Sequence, residues 1–185
     1  MENVKRIGGS IEIVCGSMFS GKTEELINRL NSVLAGNQSI KVFKPSVDMR
    51  YATHKLVSHN NLSVEAIPVN KAEEILAHAV DAEIVAIDEV QFFDEAIIAV
   101  CKQLAKDNKR VIAAGLDMDY QGRPFGPVPQ LLAIADEITK LHTICAECDN
   151  LANFTYRKGN EEALIILGEN DKYAALCRTC FNNKC

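Results

Sequence analysis

The segment from residue 16 to residue 23 constrains the fold of this chain more than any other feature. It matches the pattern G-x-x-x-x-G-K-[ST], in which a glycine-rich turn leads from a strand into a helix. The residues that complete the pattern are Gly16, Ser17, Met18, Phe19, Ser20, Gly21, Lys22 and Thr23. The flanking sequence agrees, because residues 11–15 read as a short buried strand and residues 23–30 have apolar side chains at helical spacing.

A loop of this kind is expected to bind phosphate. Glycine at positions 16 and 21 permits backbone conformations that a side chain would block, so the loop amides and the helix N-terminus can point at phosphate oxygens. Lys22 would reach the β- and γ-phosphates of a nucleotide, and the Thr23 hydroxyl would ligate Mg²⁺. The alternative is a glycine-rich turn that merely enters a helix. The strand before the loop and the helix after it favour phosphate binding.

Strands and helices alternate along the chain up to about residue 144. Strand-like runs cover residues 11–15, 39–44, 83–88, 110–114 and 137–144. Helical patterns cover residues 23–35, 70–79, 94–105 and 128–136. This alternation predicts a P-loop NTPase-like α/β fold, in which a mostly parallel sheet is flanked by helices. We predict two domains: a nucleotide-binding domain over residues 1–144 and a small C-terminal zinc-binding β domain over residues 145–185.

Two carboxylates follow the apolar run at residues 83–87. Asp88 and Glu89 end this predicted strand, and in open α/β sheets ligands bind beyond the carboxyl ends of the strands. Asp88 is therefore expected to hold Mg²⁺ directly or through water, with Glu89 as a base toward the attacking oxygen. Alternatively, the pair caps the helix near Asp94 or is a solvated strand end. ATPases and kinases both place such a residue beside the metal, so the two motifs do not separate these classes.

Composition narrows the classes of function. The chain has 185 residues, of which 48% are hydrophobic, and this suits a domain with a substantial core. No window approaches the apolar length that spans a bilayer, and the polar N-terminus lacks a signal-peptide core, so a cytoplasmic location is expected. The net charge of −5 argues against a general nucleic-acid binder, which usually has a basic surplus.

The cysteines indicate a metal site. Seven cysteines in a chain without an export signal favour metal binding or free thiols over disulfides. Four of them form two C-x-x-C pairs with 28 residues between the pairs: Cys145, Cys148, Cys177 and Cys180. Together they would complete a tetrahedral Zn²⁺ site with no open position, which predicts a structural zinc. A redox pair and disulfides are the alternatives. A hairpin of residues 151–157 with 163–168 is expected between the pairs.

This zinc segment permits two functional classes. Zinc ribbons often bind nucleic acid, so an ATPase that acts on DNA or RNA is one hypothesis. Carboxylates outnumber basic residues from Cys145 onward, with Arg157 counted among the basic surface residues, and this is not the charge of a polyanion-binding surface. A small ribbon beside a phosphate site could instead be a lid that excludes water, as a kinase requires.

The combined motifs resemble those of one family, the type II thymidine kinases, which are cytosolic and contain zinc. The resemblance covers nearly the whole chain and includes the phosphate loop and both cysteine pairs. The other matching motifs are Asp48-x-Arg50-Tyr51, Ile87-Asp88-Glu89-x-Gln91-Phe92-Phe93, Gly115-Leu116-Asp117, Pro124-Phe125-Gly126, Phe154-Thr155 and Asp171-x-Tyr173.

This resemblance implies transfer of the ATP γ-phosphoryl group to the 5′-hydroxyl of thymidine or deoxyuridine, in pyrimidine deoxynucleotide salvage for DNA synthesis. It implies Lys22 and Thr23 at the triphosphate and Mg²⁺. Asp88 would be an acid of the metal shell and Glu89 the general base. The resemblance also implies that Arg50 and Gln91 lie by the phosphates.

An acceptor pocket and a mode of regulation are implied as well. The pocket residues would be Met18, Leu116, Tyr120, Phe125, Thr155, Ile166, Gly168 and Tyr173. Backbone groups around residues 166–168 would read the pyrimidine edge from a loop that closes over the base. A homotetramer and feedback inhibition by thymidine triphosphate (dTTP) are further expectations, without a nucleic-acid or membrane partner.

Overall fold

The computed structural model describes residues 8–34, 38–47, 55–57, 63–159 and 172–184. The strands in these ranges are β1 (Ser10–Gly16), β2 (Ile40–Pro45), β3 (Lys55–Val57), β4 (Ser63–Glu65), β5 (Ile67–Val69), β6 (Ile84–Ile87), β7 (Arg110–Gly115), β8 (Glu137–Leu141), β9 (Thr143–Ile144), β10 (Leu151–Ala152), β11 (Phe154–Arg157) and β12 (Tyr173–Leu176). The helices are α1 (Lys22–Leu34), α2 (Glu74–His78), α3 (Ala96–Lys106), α4 (Val128–Ile134) and α5 (Arg178–Asn182), with a 3₁₀ turn at Val90–Phe92. No helix in these ranges combines the length and apolarity needed to cross a bilayer.

Six strands form one sheet in the order β5-β2-β6-β7-β1-β8, and all of its pairs are parallel. The predicted α/β class is therefore confirmed. Successive residues of β1 face opposite sides of the sheet: Ile13 and Cys15 pack with α2, α3 and α4, whereas Val14 packs with α1. Helices cover both faces, which explains why these strands read as nearly continuous apolar runs.

The strand order decides where the candidate site lies. β1 lies between β7 and β8, and its last residue, Gly16, pairs with Leu141. β6 ends at Ile87, which pairs with Ala113 near the end of β7. The phosphate loop, Asp88 and the segment after β7 therefore follow strand ends at one edge of the sheet, where α/β folds bind ligands.

Several elements differ from their predicted bounds. Residues 70–73 are a bend and turn, so the helix predicted over residues 70–79 is confined to α2. The strand predicted over residues 137–144 is two strands, β8 and β9, which are separated at His142. β8 pairs with β1 in the large sheet, whereas β9 pairs with β10. Because each half has its own partner, the local pattern of residue types could not reveal the break.

The segment around the cysteines has a small core of its own. β9 pairs antiparallel with β10 and β11 with β12, while Phe154 stacks on Phe181 with ring centroids 4.6 Å apart. This differs from the expected hairpin, because residues 151–157 are two strands and β11 pairs with β12. Residues 163–168 lie outside the described ranges. The domain boundary at residue 145 stays a prediction.

A buried ion cluster lies near the amino-terminal end of β1. Glu12 is 4% exposed and accepts hydrogen bonds from Arg110 at 2.7 and 3.0 Å and from Arg29 at 2.9 Å. Burial alone would raise the pKa of Glu12, but the hydrogen bonds and charges of Arg110 and Arg29 outweigh it and hold that pKa below its usual value. The ionised carboxylate therefore stabilises the junction of β1, β7 and α1.

We expect Glu12→Gln to lower the free energy of unfolding at pH 7 by about 2 kcal/mol, the effect of weakening hydrogen bonds to charged groups, because the guanidinium groups of Arg29 and Arg110 lose a buried counter-charge. Since the folded-state pKa of Glu12 is depressed, its contribution is present above the unfolded-state pKa and is lost as the pH falls through the folded-state pKa. The difference between variant and wild type should therefore shrink below about pH 4. Denaturant unfolding at neutral and acidic pH measures it.

Glu137→Gln is the matched control for this experiment. Its carboxylate lies 3.6 Å from Arg29 with 43% of the side chain exposed, so its loss should cost less than about 0.5 kcal/mol. An equal destabilisation of Glu12→Gln at pH 7 and at low pH would show that Glu12 does not act through its charge.

Candidate active site

The phosphate loop joins β1 to α1 in a conformation that requires glycine at its first position. Gly16 has φ +147°, and a Cβ added there would lie 2.5 Å from the Leu141 carbonyl oxygen. Gly21 has φ +84°, in the region that side chains disfavour. Both glycines of the sequence pattern therefore have the structural role that the pattern predicts.

The ammonium group of Lys22 folds back onto the backbone of the phosphate loop. Lys22 Nζ donates to the Ser17 carbonyl oxygen at 2.8 Å, and the Ser20 hydroxyl donates to the same oxygen at 2.8 Å. The Ser17 hydroxyl oxygen is buried without a hydrogen-bond partner among the described residues. A buried polar atom of this kind is usually satisfied by a ligand or by water. The α1 N-terminus and the Lys22 ammonium together favour an anion at this loop.

Asp88 and Thr23 meet across the edge of the sheet. The hydroxyl of Thr23, in the first turn of α1, donates to Oδ2 of Asp88, just after the end of β6, at 3.0 Å. Burial, followed by the charge of Glu89, raises the pKa of Asp88 to about 7. A bound cation would favour the ionised carboxylate. Hydroxyl and carboxylate oxygens are ligands that Mg²⁺ prefers, so this pair fits the metal role predicted for it.

A buried glutamine holds Glu89 in place. Gln91 Nε2 donates to Glu89 Oε2, and Gln91 Oε1 accepts from the Leu116 amide at 3.0 Å. Gln91 is 2% exposed, so its side chain is an internal bridge from Glu89 to the segment after β7. Glu89 itself has φ +52°, and its amide donates to Asp88 Oδ1 at 2.9 Å. The carboxylate therefore has a fixed orientation, while a contact between Gln91 and phosphate stays a prediction.

The loop after β7 carries three of the predicted acceptor residues. Leu116 begins this loop, residues 116–127, and receives the Gln91 contact. The Phe125 amide donates to the Asp117 carbonyl oxygen at 3.1 Å. The Phe125 ring meets the Phe92 ring edge-on, with centroids 5.9 Å apart. The backbone hydrogen bond thus closes the loop on itself, and the aromatic contact holds it against the 3₁₀ turn that follows Glu89.

Strand β11 connects the C-terminal segment to the phosphate loop and to the loop after β7. Thr155 Oγ1 accepts from the Met18 amide at 3.0 Å. The Arg157 guanidinium lies 3.2 Å from the centroid of the Tyr120 ring. Tyr173 lies opposite Arg157 in β12 and is 7% exposed. These contacts connect four of the predicted pocket residues: Met18, Tyr120, Thr155 and Tyr173.

The sequence did not predict two contacts in this region. Arg157, expected among the basic surface residues, is 5% exposed and contacts Tyr120. Its spacing of two from Thr155 is the available signal, because alternate strand residues share a face. Lys140 Nζ lies 2.6 Å from Asp117 Oδ2, and a contact between separate strand ends has no local sequence signal. Three predicted site residues lie outside the described ranges: Arg50, Ile166 and Gly168.

The four paired cysteines come together as predicted. Their Sγ atoms all lie within 4.8 Å of one another, and those of Cys148 and Cys177 are 3.5 Å apart. Tetrahedral zinc with Zn–S bonds of about 2.3 Å needs sulfur atoms about 3.8 Å apart, so the set fits zinc. The Cys180 amide donates to Cys177 Sγ at 3.5 Å and the Asn150 side chain to Cys148 Sγ at 3.4 Å, which suits ionised thiolates. The cluster can hold a structural zinc ion.

The phosphate loop, the acid at a second strand end and the parallel sheet with helices on both faces define a protein of the P-loop NTPase-like α/β class. The fold is similar to that of the flagellar accessory protein FlaH from Methanocaldococcus jannaschii. The TM-score is 0.52 at 12% sequence identity, over 79% of this chain and 76% of that one.

The family follows from sequence comparison. The family model for thymidine kinase matches residues 9–181, and the chain therefore belongs to the thymidine kinase family. A thymidine kinase from Bacteroides thetaiotaomicron is 49% identical over 173 residues, which cover 94% of this chain and 87% of the relative. A thymidine kinase from Rhodothermus sp. is 51% identical over 181 residues, which cover 96% of this chain and 85% of the relative.

We expect the purified protein to contain about one zinc ion per chain and Cys177→Ala to lose it. Cys177 also caps α5, so loss of the metal should loosen the small C-terminal core and lower the thermal unfolding midpoint by at least about 5 °C. Elemental analysis and thermal unfolding measure the two effects. Cys101→Ala, at a buried thiol of α3, is the control and should retain zinc. Wild-type zinc content in Cys177→Ala would exclude this site.

Proposed function

We propose that this protein transfers the γ-phosphoryl group of ATP to the 5′-hydroxyl of thymidine or deoxyuridine. The observation that carries the proposal is a continuous set of contacts from Thr23 through Asp88, Glu89 and Gln91 to Leu116. These contacts support Glu89 as the base, because they connect its carboxylate to the phosphate loop on one side and to the loop after β7 on the other. Membership in the thymidine kinase family supports the same reaction.

The donor half of the site binds the triphosphate. The amides of residues 16–23 and the Lys22 ammonium hold the β- and γ-phosphates. Thr23 and Asp88 would hold Mg²⁺, which when bound neutralises charge on the phosphates. Arg50 and Gln91 would add contacts to the phosphates. Phosphoryl transfer needs alignment and charge neutralisation more than covalent help, and these residues supply both.

The acceptor half orients the nucleoside. Glu89 takes the proton from the 5′-hydroxyl as its oxygen attacks the γ-phosphorus. The pocket walls are the residues Met18, Leu116, Tyr120, Phe125, Thr155 and Tyr173, with Ile166 and Gly168 contributed by the segment between the cysteine pairs. Backbone groups of that segment would select pyrimidines, because a mismatched base edge leaves buried polar groups unpaired.

The C-terminal segment acts as the lid. A kinase must keep water from taking the phosphoryl group, and a zinc-anchored domain over residues 145–185 would exclude water from the domain over residues 1–144. The family resemblance supports a cytoplasmic homotetramer that acts in pyrimidine deoxynucleotide salvage. It also supports feedback inhibition by dTTP.

We expect the zinc-replete protein to consume ATP in the presence of Mg²⁺ only when thymidine or deoxyuridine is added. The product should be the matching 5′-monophosphate in equal amount, because the phosphoryl group goes to the nucleoside and not to water. Chromatography of nucleotides from reactions with a panel of purine and pyrimidine nucleosides measures this. ATP consumption that ignores nucleosides but rises with DNA or RNA would replace the kinase with a nucleic-acid-dependent ATPase.

We expect Glu89→Gln to lower kcat by about 10²- to 10⁴-fold, because the amide cannot accept the proton. ATP affinity should stay within about twofold, since the glutamine can still accept the Gln91 hydrogen bond and the phosphate loop is unchanged. Steady-state kinetics and calorimetric ATP binding separate the two effects. Glu95→Gln, at an exposed carboxylate just before α3, is the control and should behave as wild type. Near-wild-type turnover in Glu89→Gln would remove Glu89 as the base.

A further inference from the structure

The two faces of β11 contact different parts of the protein. Phe154 packs in the cysteine core, where its ring stacks on Phe181. Thr155 and Arg157 are two residues apart and therefore share the other face of the strand. Both contact the nucleotide-binding part of the chain, at the phosphate loop and at the loop after β7. One short strand thus connects the cysteine cluster to both halves of the candidate site.

The contact at Thr155 is with the backbone of the phosphate loop. Thr155 is 4% exposed, and its Oγ1 accepts from the Met18 amide at 3.0 Å. The next residue, Phe19, has φ +65°, a left-handed conformation that is unfavourable for a bulky side chain. Phe19 also packs against the cysteine core. Two consecutive residues of the loop are therefore held by the C-terminal segment, one of them in a strained conformation.

A second set of contacts holds the same strand against the loop after β7, residues 116–127. The Arg157 guanidinium stacks on the Tyr120 ring at 3.2 Å from its centroid. Gly122 of that loop has φ +75°, and a Cβ added there would lie 3.2 Å from the Phe181 ring. The loop thus packs closely on the cysteine core. These contacts fix the position from which the Thr155 hydroxyl reaches the phosphate loop.

We propose that Thr155 is a positioning residue for the phosphate loop, whose buried hydroxyl holds the Met18 amide and makes nucleotide affinity depend on the C-terminal segment. The inference rests on the nucleotide binding of the proposed function and gives Thr155 a role beyond lining the acceptor pocket. A residue that only lined the pocket would change nucleoside affinity alone. A residue that shapes the loop changes nucleotide affinity even without a nucleoside.

The test compares Thr155→Val with Thr155→Ser in the zinc-replete, full-length protein. Valine preserves the shape and removes the acceptor, so the dissociation constant of Mg²⁺–ADP should rise about threefold to tenfold, the effect of one lost hydrogen bond. Serine keeps the hydroxyl and should stay within about twofold of wild type. Isothermal titration with Mg²⁺–ADP and no nucleoside measures this. Thr143→Val, in β9, is the matched control and should bind as wild type.

The outcomes separate this inference from the proposed function. Wild-type ADP affinity in Thr155→Val would overturn the positioning role, and a rise in the thymidine KM alone would assign Thr155 to the pocket only. If Thr155→Val loses ADP affinity and the wild type phosphorylates no nucleoside, the positioning role stands and the kinase proposal fails. Zinc content reports folding in each variant. If the valine variant loses zinc, Thr155→Ala is compared with Thr155→Ser in the same titration.

Discussion

Parallel pairing of β1 between β7 and β8 is the constraint on which the candidate site depends. The register pairs Cys15 with Gly115 and Gly16 with Leu141, so three strands end at nearly the same level. The phosphate loop can begin at Gly16 only because glycine tolerates the Leu141 carbonyl 2.5 Å from the position of a Cβ. The chain leaves these strands at one edge of the sheet. The phosphate loop, the loop after β7 and the start of the cysteine segment are therefore neighbours by topology.

Two glycines create the space for the side chain that orients Glu89. A Cβ on Gly115 would lie 2.6 Å from Gln91 Oε1, and a Cβ on Gly126 would lie 2.6 Å from the Gln91 carbonyl oxygen. Gln91 can therefore cross the end of β7 to reach the Leu116 amide only while both positions lack a side chain. Gly126 also has φ +51°, which glycine adopts without strain. Gly115 and Gly126 thus leave room for Gln91, which in turn fixes the position of the Glu89 carboxylate.

The sequence predicted those parts of the site whose residues are close together in the chain. The phosphate loop and the cysteine pairs are local patterns, and the structure confirms the loop conformation and the cysteine cluster. The contacts of Arg157 with Tyr120 and of Lys140 with Asp117 join separate strand ends, and their partners depend on register. The break between β8 and β9 has the same cause, since each half pairs with a different strand. Local periodicity indicates the type of element and its buried face, but it does not identify the partner strand.

The cysteine segment is too small to be held by its own apolar core. A segment of about 40 residues buries too little apolar surface to be stable without a metal, disulfides or a partner. In this chain Phe19 of the phosphate loop and Met118 of the loop after β7 also pack against the core around Phe154 and Phe181. A metal held by the four cysteines would therefore stabilise more than the segment itself, because the phosphate loop and the loop after β7 pack on the same core. A metal at the cysteine cluster can thus support the geometry of the candidate site through packing contacts alone.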